Sequence, residues 1–237
     1  MTQGMPPPRK ESRSAAAGRE AAAIAGPPRV CYRHLTMKGR PDYYWRKSKE
    51  EGYPARSVFK LQEIQQKHAP LRPGARVLDL GASPGSWSLF ILDFLAGSGS
   101  AAGIDLNPPD PRLLSRPRYQ FLQGDFTSEE AAAWIRARGP YDVVVSDAAP
   151  STTGNRTRDT AQSAELVRQV LAVCGQCLVA GGNCVVKIFQ GGEEKELLDL
   201  MRRLFTQARA FKPKASRSDS METYFVGLGF KAGSGPG

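Results

Sequence analysis

Short apolar runs rich in β-branched residues alternate with longer stretches of helical periodicity along most of the chain. Such alternation is typical of a parallel sheet covered by helices on both faces. The apolar runs predict seven strands, at about 75–81, 100–106, 118–124, 141–147, 182–189, 207–212 and 222–230. The helical patterns predict helices at about 56–68, 86–96, 128–138, 160–179 and 193–206.

The lengths of the connections between strands indicate the topology. Connections between the first strands are as long as helices, which suits right-handed crossovers between parallel neighbours. The last two apolar runs lie close enough in sequence to form an antiparallel hairpin. We therefore predict an α/β fold, with a doubly wound, seven-stranded and mostly parallel sheet whose last strand is antiparallel.

The N-terminal segment differs in composition from the rest of the 237-residue chain. Residues 1–40 are rich in Pro, Ala, Gly and Arg, and their eight Lys/Arg and two Glu supply +6 of the net charge of +10. We predict a basic, disordered arm at 1–40, one folded domain at 41–231 and a short disordered tail at 232–237. The positive charge favours polyanionic partners, nucleic acid first and a membrane surface second.

The cysteine content and the hydropathy of the chain limit the cellular locations that we expect for it. Four cysteines in a chain of this length predict no disulfide framework, which fits a reducing, cytoplasmic location. Cys174 and Cys177 lie within an apolar helical run, which favours helix packing over a metal or redox role. The sequence contains no run of 18 apolar residues, so no membrane-spanning helix is predicted. The Arg-, Ala- and Ser-rich N-terminus leaves organellar import open.

A glycine-containing loop, DLGASPGSW, follows the first predicted strand and begins with Asp79. Its glycines, Gly81 and Gly85, are spaced G-x-x-x-G with a proline between them. A dinucleotide site would have G-x-G-x-x-G to hold a pyrophosphate, so a nicotinamide-dependent oxidoreductase is disfavoured. The pattern instead favours a nucleoside cofactor without phosphates, namely S-adenosyl-L-methionine.

Two acidic residues follow the next two strands. Asp105 ends the second strand, where a carboxylate can accept both ribose hydroxyls of a nucleoside. Asp125 follows the third strand, where its carboxylate could meet the adenine edge. Either residue alone would be typical of a strand-end turn. Their occurrence at consecutive strand ends predicts a cofactor site.

Four charged residues are expected to meet at the same edge of the sheet. Asp147 ends the fourth strand, Lys187 lies in the apolar fifth strand, Glu222 begins the last strand and Lys60 lies in the first predicted helix. A lysine that is partly desolvated beside a second lysine can lose its proton near neutral pH and act as a general base. The carboxylates would hold the amines in place. The alternative interpretation is a set of separate turn caps and surface charges.

Several motifs carry a resemblance to a known family. They are GYPARSVFKLQEI, LDLGASPGSWS, FLQGDF, SDAAPSTTG, GGNCVVKIFQG and FKPKASRSDSMETY. In these segments the chain resembles the FtsJ/RrmJ family of ribose 2′-O-methyltransferases. The resemblance implies a Rossmann-like class I methyltransferase fold and assigns Lys60, Asp147, Lys187 and Glu222 as a K-D-K-E catalytic tetrad. It places S-adenosyl-L-methionine against the loop that carries Asp79 and Gly81 and against Gly85, Trp87, Asp105, Asp125 and Asp147.

The resemblance also implies a substrate: a uridine ribose in 23S ribosomal RNA of the large subunit, modified in the assembled 50S subunit by a monomeric, cytoplasmic enzyme. Methylation of transfer RNA or of a messenger-RNA cap stays an alternative, because the tetrad reports the chemistry and not the RNA. A non-catalytic ribosome-assembly factor is the second alternative. Ser86 stands where the family usually has glycine, and Pro54 and Met221 stand where arginine is common.

Overall fold

The computed structural model describes residues 43–216 and 220–231, together with Met1. The predicted arm, from residue 2 onward, and the predicted tail lie outside the described residues. The strands are β1 (Arg76–Leu80), β2 (Ser100–Asp105), β3 (Tyr119–Gln123), β4 (Tyr141–Ser146), β5 (Leu178–Phe189), β6 (Phe205–Phe211) and β7 (Glu222–Phe230). The helices are α1 (Tyr43–Glu50), α2 (Val58–His68), α3 (Ser86–Leu95), α4 (Pro111–Leu114), α5 (Glu129–Arg138), α6 (Arg156–Cys177) and α7 (Glu194–Leu204).

The seven strands form one sheet in the order β3-β2-β1-β4-β5-β7-β6. Strand β1 pairs in parallel with β2 and β4, and β4 pairs in parallel with β5. Strand β7 is antiparallel to both β5 and β6. The predicted doubly wound topology with an antiparallel last strand is confirmed. The order reverses at β1, so the crevice at the carboxyl ends of β1 and β4 is where an open α/β sheet binds ligands.

Apolar side chains are buried on both faces of the sheet, as its continuous β-branched runs require. On one face, Val144 and Val186 pack with residues of α5, α6 and α7. On the other face, Val145 and Val185 pack with residues of α2 and α3. Because successive side chains of a strand point to opposite faces, each of these strands contributes to both cores.

The structure corrects several predicted boundaries. Helices α1 and α4 were not predicted, since α4 has one turn and α1 buries only Ser48. Helix α6 begins earlier than predicted because Asn155 caps it, its side chain accepting a hydrogen bond from Arg158 N at 3.1 Å. Strand β6 begins at Phe205, directly after α7, because the Phe205 side chain is fully buried in the core.

The cysteine pair of the apolar helical run packs inside the protein. Cys174 and Cys177 are buried near the end of α6, and Cys184 is buried in β5. In the part of the chain that the structure describes, no group of three or more His, Cys, Asp or Glu side chains could hold a metal ion. None of the described helices is both long and apolar enough to span a membrane.

Candidate active site

The loop between β1 and α3 is shaped by two glycines. Gly81 and Gly85 have φ angles of +77° and +109°, which non-glycine residues rarely adopt. A Cβ atom at Gly81 would lie 2.7 Å from the Cβ of Ala148, and one at Gly85 would lie 2.3 Å from a methyl group of Leu113. Neither position can therefore accept a side chain without moving its neighbours, and the backbone of the loop packs directly against them.

Asp105 lies beside this loop at the end of β2, and Asp125 follows the end of β3. The half-buried Asp105 accepts hydrogen bonds from Ser83 N at 2.9 Å and from Asn107 N at 2.8 Å, one on each carboxylate oxygen. Oδ1 also accepts a longer hydrogen bond from Asn107 Nδ2 at 3.4 Å, so its two lone pairs are used. Oδ2 accepts one hydrogen bond and has a second lone pair for a further donor such as a ribose hydroxyl. Asp125 is exposed, and its Oδ1 accepts from the Thr127 N–H and hydroxyl at 2.9 and 2.8 Å.

Two other residues with a predicted cofactor role are buried beneath the loop. Asp79 is fully buried; its Oδ2 accepts a hydrogen bond from Ser88 Oγ at 2.7 Å, and its Oδ1 has no hydrogen-bond partner among the described residues. Burial raises the pKa of Asp79 to about 7. Trp87 is also buried, and its Nε1 donates to Ser57 O at 2.9 Å. Contact of Asp79 and Trp87 with the cofactor stays a prediction.

The four residues of the predicted tetrad come together as two ion pairs. Lys60 Nζ donates to Glu222 Oε2 at 2.6 Å. Lys187 Nζ donates to the backbone oxygen of Asp147 at 2.6 Å and lies 3.1 Å from Asp147 Oδ1. Both lysine side chains are only 6% exposed. An apolar strand can hold Lys187 because a carboxylate and a carbonyl compensate the loss of water.

Tyr224 joins the two pairs, and it was not predicted from the sequence. Its hydroxyl donates to Asp147 Oδ1 at 2.7 Å, and its ring centre lies 5.8 Å from Lys60 Nζ. Tyr224 pairs with Lys187 in the β5–β7 register and shares a face of β7 with Glu222, two residues earlier. The two-residue spacing in ETYF was the signal that could have identified it. The tetrad is thus a five-residue cluster.

The electrostatics of the cluster fix two protonation states. Burial raises the pKa of Asp147, but Lys187, Lys60 and the hydrogen bond from Tyr224 outweigh it, so this pKa lies below its ordinary value. Burial, reinforced by Asp147 and Glu222, raises the pKa of Tyr224 well above its ordinary value. At neutral pH, Asp147 is therefore a carboxylate and Tyr224 a neutral hydroxyl donor.

Helix α3 connects the tetrad to the loop between β1 and α3, which we call the cofactor loop after its predicted role. Ser86 is its first residue, and its Oγ accepts a hydrogen bond from Ala55 N at 2.7 Å, just before α2. The next residue, Trp87, donates to Ser57 O and packs with its ring centre 5.8 Å from that of Tyr224. The serine that replaces the usual glycine lies within the helix, where no glycine is required, and its hydroxyl anchors the segment that carries Lys60.

The model of the FtsJ-like methyltransferase family matches residues 53–230, about three quarters of the chain. The chain belongs to the FtsJ-like methyltransferase family. Ribosomal RNA large subunit methyltransferase E of Treponema denticola is 48% identical over 191 residues, which cover 81% of this chain and 96% of that protein. The protein of the same name from Oleidesulfovibrio alaskensis is 46% identical over 197 residues, covering 82% and 94%.

Solved structures support the fold. A crystal structure from Plasmodium falciparum, assigned as a ribosomal RNA methyltransferase, superimposes with a TM-score of 0.66 at 28% identity and covers 76% of this chain and all of that one. Aeropyrum pernix fibrillarin, solved with natively bound S-adenosyl-L-methionine, has a TM-score of 0.52 at 17% identity and covers 73% and 76%. At that identity the fibrillarin match shows the fold alone, a Rossmann-like methyltransferase fold.

The residues at the carboxyl ends of β1–β3 fit S-adenosyl-L-methionine, the cofactor of this methyltransferase family. The loop from Gly81 to Ser86 has no cationic side chain to hold a phosphate. Asp105 Oδ2 has a lone pair for a ribose hydroxyl, and Oδ1 can accept the vicinal hydroxyl if that hydroxyl replaces the long contact from Asn107 Nδ2. A nucleoside without phosphates matches this set of groups, whereas a dinucleotide does not.

Proposed function

We propose that the chain transfers the methyl group of S-adenosyl-L-methionine to a ribose 2′-hydroxyl of large-subunit ribosomal RNA. The meeting of two buried lysine–carboxylate pairs, joined by Tyr224, carries the proposal. They lie at the sheet edge next to the cofactor loop, in a chain of the FtsJ-like family. The match with this chain covers more than 90% of the length of each of the two relatives, and their names support the RNA substrate.

Lys187 is the proposed proton acceptor. In the ion pair with Asp147 the side chain is an ammonium, which must release one proton before it can act. The resulting amine has two N–H groups and one lone pair, and its contacts at 2.6 and 3.1 Å are both acceptors on Asp147. When those two N–H groups are used, the lone pair is left to take the proton of a hydroxyl. S-adenosyl-L-methionine, when bound, supplies the electrophilic methyl group. The residues of the chain orient the hydroxyl and remove its proton.

The other members of the cluster position Lys187 and the substrate. The Asp147 carboxylate holds the Lys187 amine and is itself held by the Tyr224 hydroxyl. Lys60, fixed by Glu222, adds a second positive charge near the site, which stabilises negative charge that develops on the substrate oxygen. General-base assistance of this kind contributes roughly 10²–10⁴ in rate.

The finer proposal is a uridine of 23S ribosomal RNA, modified in the assembled 50S subunit by a monomer in the cytoplasm. The test incubates purified chain and labelled cofactor with intact large subunits, deproteinised large-subunit RNA and bulk transfer RNA. We expect label in large-subunit RNA, and mapping of alkali-resistant linkages should place it on a ribose 2′-oxygen. Label in transfer RNA alone, or on a base, would contradict the proposal.

The comparison of subunit with free RNA decides whether the assembled particle is the substrate. A non-catalytic assembly role is tested separately, by asking whether Lys187→Ala restores growth of a deletion strain. Full restoration without any ribose methylation would show that methyl transfer is incidental to the function.

A further inference from the structure

A second concave surface lies between α1, α2 and the end of β6. Its cavity volume is about 520 Å³, within the range of pockets that bind small ligands. Six of its lining residues define what we call the lysine groove: Lys47, Phe59, Lys67, Phe211, Lys212 and Lys214. None of the six belongs to the tetrad or to the cofactor loop, so the lysine groove is a separate surface.

The charge of the lysine groove favours an anionic ligand. Lys67, Lys212 and Lys214 are exposed, and Lys47 is half-buried. Lys47 Nζ lies 3.6 Å from Glu51 Oε1, and Lys212 Nζ donates to Ser220 O at 2.8 Å, which leaves it two further N–H donors. Of the described residues that line the cavity, Glu63 alone is acidic. Its carboxylate accepts the backbone N–H groups of residues 214 and 215, both at 2.8 Å, so it serves to hold the loop that presents Lys214. Lysines converging on one concave surface are typical of phosphate binding.

Aromatic rings lie among these lysines. Phe59 is buried at the base of the groove, with Lys47 Nζ 4.8 Å from its ring centre. Phe211 is half-buried, and its ring packs at 80° against that of His68, at 5.1 Å between centres. Basic side chains that track a backbone, combined with rings on which bases stack, are the usual means of binding single-stranded nucleic acid.

The lysine groove is close to the reacting residues. Phe59 directly precedes Lys60 on α2, and Phe211 pairs with Tyr224 in the β6–β7 register. Tyr224 pairs in turn with Lys187, so two strand spacings, about 10 Å, separate the backbones of Phe211 and Lys187. With a rise of about 3.4 Å per stacked nucleotide, that distance corresponds to about three nucleotides.

We propose that the lysine groove binds an unpaired nucleotide of the substrate RNA, within about three nucleotides of the methylated ribose. Lys212 and Lys214 contact its phosphates, and its base stacks on Phe211. The inference rests on the proposed function, because it assumes that RNA occupies the tetrad. It adds a subsite that selects substrates whose target nucleotide is flanked by accessible single-stranded RNA.

The test compares Lys212→Gln/Lys214→Gln with the wild-type chain on a deproteinised fragment of large-subunit RNA that contains the mapped target. The double variant should raise KM for RNA about tenfold and reduce the slope of log affinity against log salt by about 1.4, for two lost phosphate contacts. Cofactor Kd should change by less than about twofold. Lys195→Gln, an exposed lysine on α7, is the matched control and should leave all three values unchanged.

A second variant tests the stacking role. Phe211→Leu keeps an apolar side chain in the core and removes the ring, so it should weaken RNA binding by about fivefold to a hundredfold. Phe211→Tyr should retain binding. Shortening the RNA by the flanking nucleotides should weaken wild-type binding and have little further effect on either groove variant.

The outcomes separate this inference from the proposed function. If the wild-type chain methylates no RNA ribose, the proposed function fails. If it does, and the groove variants behave like Lys195→Gln, the lysine groove is not an RNA subsite. An effect seen on assembled subunits but not on the free fragment would also overturn the proposal, because it would indicate a ribosomal protein as the occupant.

Discussion

Asp79 and Asp147 lie on neighbouring strands or just after them, yet their electrostatic environments are opposite. Asp79, in β1, is fully buried, and burial raises its pKa to about 7. Asp147, just after β4, keeps 18% exposure and faces Lys187 and Lys60, and its pKa lies below the ordinary value. The presence of cations, more than the position in the sheet, therefore decides which of the two carboxyl groups is charged.

The site has two halves, the predicted cofactor half at the ends of β1–β3 and the tetrad half around Lys187, and they are also built differently. The cofactor half is built from backbone that approaches its neighbours closely and from carboxylates at strand ends. The tetrad half is built from side chains of opposite charge that satisfy each other. The first half should therefore be sensitive to an added Cβ atom, and the second to a change in charge or in the capacity to exchange a proton.

The largest effect is expected at Lys187. Lys187→Ala should lower the methyl-transfer rate by about 10²–10⁴, and cofactor Kd should stay close to wild type because the lysine lies in the other half. Lys187→Arg sharpens the test, since it keeps a cation beside Asp147 but cannot give up its proton near neutral pH. Single-turnover rates and cofactor titration measure the two effects. An active Lys187→Arg variant would rule out the proton-acceptor role.

The next largest effect is expected at Asp79, in the pH dependence of the free energy of unfolding. Because the folded-state pKa of Asp79 is raised from 3.8 to about 7, its contribution to stability is present below the unfolded-state pKa and is lost as the pH rises towards 7. Asp79→Asn removes that loss. Its free energy of unfolding should equal that of the wild type near pH 4 and exceed it by up to about 4 kcal/mol at pH 8. Urea unfolding at several pH values measures the difference.

Asp147→Asn is the matched variant for this comparison. The folded-state pKa of Asp147 is lowered, so its contribution is present above the unfolded-state pKa and is lost as the pH falls through the folded-state value. This variant should be less stable than wild type at neutral pH, and the difference should close in acid. Parallel pH profiles for the two variants would show that the contrast between the carboxyl groups is wrong.

A smaller effect is expected from an added Cβ atom in the cofactor loop. Gly81→Ala should cost about 2–3 kcal/mol of stability and weaken cofactor binding, because it combines a positive φ with the 2.7 Å approach to Ala148. Gly97 has a φ of +81° but no atom within 4 Å of the place a Cβ would take, so Gly97→Ala isolates the backbone contribution, about 1 kcal/mol. Thermal unfolding and cofactor titration distinguish the two variants. Equal losses would mean that close packing at Gly81 is unimportant.

The smallest effect is expected at Tyr224. Tyr224→Phe removes the hydroxyl that donates to Asp147 and keeps the ring beside Trp87. We expect about 1 kcal/mol less stability and a methyl-transfer rate reduced by up to about tenfold, with cofactor Kd unchanged. The pH–rate profile checks the positioning role, because a looser Asp147 should shift its midpoint. An unshifted profile would limit Tyr224 to packing.

Much of the fold and the site followed from local sequence patterns. The strand ends were readable from β-branched runs, and parallel strands bring their carboxyl ends to one edge, so Asp147 and Lys187 could be placed together. Glu222 joins them because the antiparallel last strand begins at that same edge. The two glycines of the cofactor loop were equally readable, since only their spacing was needed. These features depend on sequence period and on topology rules, which act over short distances along the chain.

The remaining features depend on contacts between distant segments. Tyr224 faces Lys187 only because of the β5–β7 register, which no local pattern of either strand specifies alone. Ser86 finds Ala55 N–H across 31 residues. The lysine groove joins α1, a polar helix with one buried residue, to the loop after β6. Such pairings are set by packing of the whole domain. Periodicity places Tyr224 on the same face of β7 as Glu222, but it does not specify which residues of other elements they contact.

The contacts of Ser86 and Trp87 have a consequence for engineering this domain. Both side chains form hydrogen bonds with main-chain atoms, the N–H of residue 55 and the C=O of residue 57, rather than with the side chains found there. Residues 55 and 57 can therefore be substituted without loss of these hydrogen bonds, provided that residue 55 keeps its N–H. Ser86 and Trp87 cannot be exchanged freely, because their side chains make the contacts. A chimera with a different segment ahead of α2 should therefore retain Ser86 and Trp87. A chimera with a different loop between β1 and α3 should include both residues in the transferred segment.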